Sequence, residues 1–278
     1  MLATAVLSTA TCGAGLLTAD SGTVQAAVHP GFKDGGVPAA AAAPQAGADL
    51  AETWSKASQA LLHPLLTAAQ DVRGRPVDCR RVKCVALTFD DGPGQYTDAL
   101  LRQLRAHRAR ATFFVVGQNV AAYPGILRRT VAAGHEIGSH TWSHSDLTRL
   151  SPVGVRAELA RTDQAIRAAT GLVPRLMRPP YGAFNASVRM QTTRPLVMWS
   201  VDTLDWLHRD STRVAKKTIK SVRPGSIVLF HDIHPTTVRA MPRILKTLSA
   251  RGYKFVTVSH LFGGKPPRLV YSGVSSLL

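Results

Sequence analysis

The chain is short of aromatic residues, of acids and of cysteines, and each shortage narrows what it can be. Cysteine occurs three times in 278 residues, as Cys12, Cys79 and Cys84. None belongs to a C-x-x-C motif and no second pair exists for a zinc knuckle, which excludes a small structural zinc module. Only 17 Asp and Glu stand against 34 Lys and Arg, giving a net charge of +17 and a sequence pI near 10.7. That balance favours anionic surroundings: nucleic acid, acidic lipid or a negatively charged cell wall. The basic residues are scattered in short clusters, at 73–75, 80–83 and 216–220. There is no long basic block and no aromatic-interleaved basic motif, so no nucleic-acid partner is expected. No repeat at a solenoid period is present either. Apolar residues make up 45% of the chain, enough for a sizeable core in one large α/β domain or two small ones.

Residues 1–19 carry no charge, and Val24-Gln25-Ala26 offers small or compact residues to a signal peptidase, leaving Ala27 first. The positive n-region of a signal peptide is missing. We read 1–26 as a signal peptide or anchor, which makes the protein secreted or cell-surface, with membrane contact only through that segment. Residues 27–75 read as an Ala/Pro/Gly-rich linker with a short helix around Leu50, Trp54, Leu61 and Leu65 that Pro64 bends. In an exported protein Cys79 and Cys84 would close a small disulfide loop; in the cytosol they would stay as thiols.

From about residue 76 the pattern changes to apolar strand-like runs alternating with amphipathic helical stretches. Val85-Ala86-Leu87-Thr88-Phe89 reads as a buried strand that ends on Asp90 and Asp91, with Gly92-Pro93 stopping it. Further strands are expected over 111–116, 136–140, 196–201, 226–230 and 255–258. Helices are expected over 97–108, 123–134, 150–170, 212–221 and 238–251, the third opened by Ser151 as cap and Pro152 at its first position. Repeated β-then-α order predicts parallel strands, closed into a barrel or left as an open sheet.

Four expected strand ends carry polar residues capable of chemistry. Asp90 and Asp91 repel each other unless a cation or a proton lies between them. His140 and His144, four apart, can project from one helical face towards one ion, and with a carboxylate they leave positions open for water. Arg178 lies beside Pro179-Pro180-Tyr181-Gly182, a loop whose fixed backbone can point an N–H at a ligand. Asp205 can orient His231 and raise its pKa. Asp202 and Asp232 read as structural acids.

The ordered set Thr88-Phe89-Asp90-Asp91-Gly92-Pro93, His140-x-x-x-His144, Arg178-Pro179-Pro180-Tyr181, Asp205-Trp206 and Leu229-Phe230-His231 resembles the polysaccharide deacetylases with the NodB homology domain (carbohydrate esterase family 4). The resemblance runs over roughly two-thirds of the chain and places the catalytic domain at 76–265, with 266–278 as a tail. It implies a distorted (β/α)7 barrel, preceded by a disordered or loosely helical extension. It also implies one divalent metal ion, with zinc expected and cobalt or another transition metal as alternatives. Asp91, His140 and His144 would be the metal ligands, Asp90 the general base, and Arg178 the residue that positions Asp90. His231 would be the general acid, tuned by Asp205. The Tyr181 backbone N–H would bind the oxyanion, and Trp206 and Leu229 would line the pocket for the acetyl methyl group. The implied reaction is hydrolysis of N-acetyl groups from a cell-wall polysaccharide. His231-Asp232-Ile233-His234 and Asp202-Thr203-Leu204-Asp205-Trp206 look most like the peptidoglycan N-acetylglucosamine deacetylases. Chitin oligosaccharides, poly-N-acetylglucosamine and acetylxylan are alternative substrates, and a non-catalytic wall-binding protein is the alternative of another class. A monomer is expected.

Overall fold

A computed structural model describes residues 77–270; the signal or anchor segment, the linker with its short helix, and 271–278 lie outside the described residues. The elements run β1 (Cys84–Asp90), α1 (Thr97–Ala106), β2 (Thr112–Val115), α2 (Gly117–Ala122), α3 (Pro124–Ala132), β3 (Glu136–Ser139), α4 (Pro152–Thr170), α5 (Ala186–Met190), β4 (Leu196–Val197), β5 (Val201–Asp202), α6 (Asp205–His208), α7 (Ser211–Ser221), β6 (Ile227–His231), α8 (Pro235–Ala250), β7 (Lys254–Val256), α9 (Val258–Leu261) and β8 (Leu269–Val270).

Every strand pairing is parallel. The main sheet has the order β3-β2-β1-β6-β5, with β7 also paired to β1. Bridges from Ser139 to Met177 and from Met177 to Leu196 carry the path on to β4, which pairs β8. This α/β path is consistent with the expected distorted barrel, although no β8–β5 pairing among the described residues closes it.

β1 is buried along its whole length, as a strand covered on both faces must be. Its period of two sorts the side chains. Val85, Leu87 and Phe89 join the layer packed with the helices, together with Phe113, Phe230, Ile244 and Leu245. Phe89 stacks on Phe113 and on Phe230 at 5.2 and 5.4 Å between ring centroids, a ladder that suits the register of the three central strands. Ala86 falls in the other layer, with Phe114, Leu176, Val197 and Ile227. Thr88 and Asp90 follow it by the same alternation, so the strand's last residue delivers a carboxylate to that side.

Local signals hold the helices in place. Ser151 accepts a hydrogen bond from the Gly154 N–H at 3.2 Å, Pro152 opens α4, and Gly171 closes it in left-handed backbone. Cys79 and Cys84 are joined by a disulfide just ahead of and at the start of β1.

Three expectations need correction. The run 196–201 is not one strand but β4 and β5 with a break between them. At the break Arg178 donates to the carbonyls of Val197 and Met198 through Nε and Nη2, both at 2.9 Å. The domain boundary at 265 falls inside the folded unit, because Leu269 and Val270 pair with Leu196 and Val197. Residues 140–146 are not helical; they form a loop after β3.

Candidate metal centre and acid–base site

The loop after β3 brings His140 and His144 together without a helix. Thr141 and His144 adopt φ of 68° and 58°, and Asp91, after β1, adopts 72°. Such left-handed conformations in non-glycine residues cost free energy and concentrate at functional sites. Their result is convergence: one ligand atom each from Asp91, His140 and His144 lies within 4.8 Å of the others. Asp91 Oδ1 stands 3.6 Å from His140 Nε2 and 3.4 Å from His144 Nε2.

His140 Nδ1–H donates to the Arg178 carbonyl at 2.7 Å, which leaves the Nε2 lone pair facing the carboxylate. Burial pulls the imidazole down to about 3, so it stays neutral. Asp91 Oδ1 is buried and accepts no hydrogen bond among the described residues. Lone pairs aimed at one another around an orphaned carboxylate oxygen are repulsive until a cation lies between them. Two imidazoles and a carboxylate suit a divalent transition metal, and the donor set fits.

Asp90 lies alongside, 2% exposed, with Oδ2 at 3.7 Å from His140 Nε2. Arg178 is wholly buried and its Nη1 donates to Asp90 Oδ1 at 2.7 Å and to Thr88 Oγ1 at 2.8 Å. The guanidinium also lies 4.3 Å above the Phe114 ring. Four directed contacts therefore fix the arginine that fixes the aspartate. Burial pushes the Asp90 carboxyl above its ordinary range, with Arg178 opposing.

The ladder puts His231 beside Asp90, since the two are register partners on β6 and β1. Asp205, fully buried, accepts His231 Nδ1–H and the Trp206 N–H on Oδ1, at 2.8 and 2.9 Å. Its Oδ2 accepts the His231 N–H and the Thr237 hydroxyl at 2.8 and 2.7 Å. Burial alone would lower the His231 pKa, but the Asp205 hydrogen bond and charge, aided by Asp90 and Asp91, carry it up to about 9. These bonds also hold Asp205 below its ordinary value despite its burial.

The remaining expected residues divide. The Tyr181 ring packs edge-on against His144 at 4.7 Å and is 70% exposed, with φ 60° at its Cα. Trp206 is exposed next to Asp205, whereas Leu229 is buried on β6.

Two further carboxylates support the site: Glu158, which no local signal marks, and Asp232, expected as a structural acid. Glu158, on α4, takes the Trp142 and Ser143 N–H groups on Oε2 and the Ser143 hydroxyl on Oε1, all at 2.9 Å. It thereby clamps the turn between His140 and His144. Asp232 is buried under Gly92, where a Cβ would come within 2.4 Å of its Oδ1. Thr97 links it to the Asp91 loop, donating to Asp232 and accepting the Gly94 N–H at 2.8 Å. Burial raises Asp232 to about 7. Only long-range contacts could have flagged Glu158.

Comparison with known proteins gives a consistent picture. A family model described as polysaccharide deacetylase matches residues 78–194. A peptidoglycan-N-acetylglucosamine deacetylase, PgdA, of Listeria monocytogenes is 44% identical over 184 residues, 66% of this chain and 40% of that relative. The chain thus spans about 40% of the length of the first curated relatives it matches. A chitooligosaccharide deacetylase of Bradyrhizobium sp. is 38% identical over 66% of this chain and 92% of its own. Among solved structures, a T48 deacetylase with substrate has 48% identity and a TM-score of 0.68, covering 70% of this chain and 99% of that one. The chain belongs to the polysaccharide deacetylase family.

Proposed function

We propose that the protein is a metal-dependent deacetylase that removes N-acetyl groups from the amino sugars of a cell-wall polysaccharide. N-acetylglucosamine in peptidoglycan is the substrate we favour. The observation that carries this reading is the convergence at one sheet end of an orphaned Asp91 oxygen, two imidazoles, the Arg178-held Asp90 and the Asp205-held His231.

Asp91, His140 and His144 would hold a divalent ion, with zinc our first choice and cobalt our second. When bound, such an ion acts as a Lewis acid that makes water nucleophilic near neutral pH. Asp90 takes the proton from the attacking water, and its raised affinity for a proton suits that task. Arg178 keeps its carboxylate aimed. The Tyr181 N–H donates to the developing oxyanion. His231, kept charged by Asp205, donates its proton to the leaving sugar nitrogen, which would otherwise depart as a very poor amine anion. Leu229 and Trp206 bound the space for the acetyl methyl. Acetate and a free amine result.

Support for a wall glycan comes from the net charge of +17 and from the printed activity of the Listeria relative. The protein acts at the cell surface, as a monomer, in this reading. The test is acetate release from peptidoglycan, chitin oligosaccharides and acetylxylan by metal-stripped protein with and without zinc or cobalt. Metal-dependent release from peptidoglycan alone is expected. Release from chitin or xylan only would overturn the substrate, and no release from metal-loaded protein would favour a non-catalytic wall-binding role.

A further inference from the structure

Beside His231 sits an arginine that the acid–base chemistry does not use. Arg209 follows α6 in left-handed backbone, with φ 50°. Its Nε donates to the Trp206 carbonyl at 2.8 Å, and its Nη1 meets His234 Nδ1. The His234 ring lies 5.9 Å from the His231 ring, so the guanidinium is anchored close to the reactive centre. Neither anchor is a carboxylate: one is a backbone carbonyl, the other an imidazole whose pKa is lowered by burial and by Arg209 itself.

No carboxylate pairs with Arg209 among the described residues. Asp205 is saturated by four hydrogen bonds. Asp202 takes the Leu204 N–H, and Asp210 takes the N–H groups of Thr212 and Arg213 at the start of α7. Nη2 has no hydrogen-bond partner among the described residues, and the residue is exposed next to the exposed Trp206 and Leu207. A guanidinium already fixed by two bonds loses little freedom on binding. Its open edge matches a carboxylate.

We propose that Arg209 is a specificity residue that binds a carboxylate carried by the sugar unit next to the one being deacetylated. This rests on the deacetylase reading above. A neutral N-acetylglucosamine polymer has no such group. A wall glycan has two sources of it: the lactyl ether acid of muramic acid where the stem peptide has been removed, and the stem's own carboxylates where it remains.

The test compares kcat/KM of wild type, Arg209→Ala and Arg209→Lys on three substrates: chitin oligosaccharides, peptide-free strands containing muramic acid, and peptide-bearing strands. The quantity read is the ratio of each acidic substrate to chitin. Loss of a charge-assisted pair predicts that one ratio falls about ten-fold or more in Arg209→Ala, carried mainly by KM. Arg209→Lys, which keeps charge without the fork, recovers part of it. The substrate whose ratio falls identifies the source of the carboxylate. Equal losses on acidic and neutral substrates would overturn the proposal. Should wild type release acetate from none, the deacetylase reading fails. Equilibrium binding of the same oligosaccharides to wild type and Arg209→Ala then decides on Arg209 separately.

Discussion

Two aspartate–histidine corners face each other across the end of β1, and they are built to opposite ends. In the Asp205 corner the carboxylate accepts four hydrogen bonds and receives the imidazole Nδ1–H directly. His231 rises to about 9. In the Asp91 corner the imidazole of His140 turns its Nδ1–H away, to the Arg178 carbonyl, and presents a bare nitrogen to an oxygen that no donor satisfies. His140 falls to about 3. The residue types are the same. Burial lowers both imidazoles, and only at His231 do a direct hydrogen bond to the carboxylate and its charge outweigh that burial.

Breaking the two corners separately should give the largest effects. His140→Ala is expected to abolish activity through metal loss, seen as metal content after dialysis. Asp90→Asn is expected to lower kcat by about 10²–10⁴-fold with metal content unchanged. Near-wild-type turnover in Asp90→Asn would remove Asp90 as the base.

A subtler change converts one corner towards the other. Asp205→Asn removes the charge that holds the His231 proton. A general acid must be protonated, so wild-type activity should fall as pH rises through about 9. In the variant that limb should move down towards the unperturbed histidine value of about 6.5. The same raised pKa is a stability statement: the folded state binds the proton more tightly than the unfolded chain. Its contribution is full below about pH 6.5 and is lost as pH rises through about 9. A pH–kcat profile whose alkaline limb does not move in Asp205→Asn would separate His231 from the proton donor.

Glu158→Ala should sharpen the comparison from outside the corner. Residues that orient metal ligands typically contribute 10–100-fold in affinity, so metal competition titrations should weaken by about that factor. In a His144→Ala background the effect should vanish, which a purely structural glutamate would not produce. The smallest expected effect is Cys79→Ser. A loop spanning five residues predicts a loss of about 2 kcal/mol, read as a lower thermal midpoint under oxidising conditions and no difference under reducing ones.

Much of the site could be read from the sequence because its members sit where apolar runs stop. Asp90, His140 and His231 each end or directly follow a buried strand, and a strand end is a local signal. The cap at Ser151 and the terminator at Gly171 are local in the same way. What escaped was non-local or conformational. The helical face drawn for His140 and His144 failed because Thr141 and His144 take left-handed backbone, which no glycine advertises. At the break between β4 and β5 a side chain nineteen residues away donates to the Val197 carbonyl, a contact that the local pattern does not carry. Glu158 was invisible because its partners are mostly backbone N–H groups, which carry no residue identity. Arg209 looked like one more basic residue in a chain with 34 of them.

The pairing of Asp90 with His231 as register partners on adjacent parallel strands reaches beyond catalysis. Neighbouring strands lie about 4.8 Å apart whatever their sequence, so the spacing of these two groups is a property of the backbone lattice and not of any loop. A one-residue slip would turn one of them to the far side of the sheet. Inheritance is therefore split. The spacing between the two groups is fixed by the sheet and cannot drift by small steps. The surrounding loops, which tolerate insertion and exchange, are left free to vary.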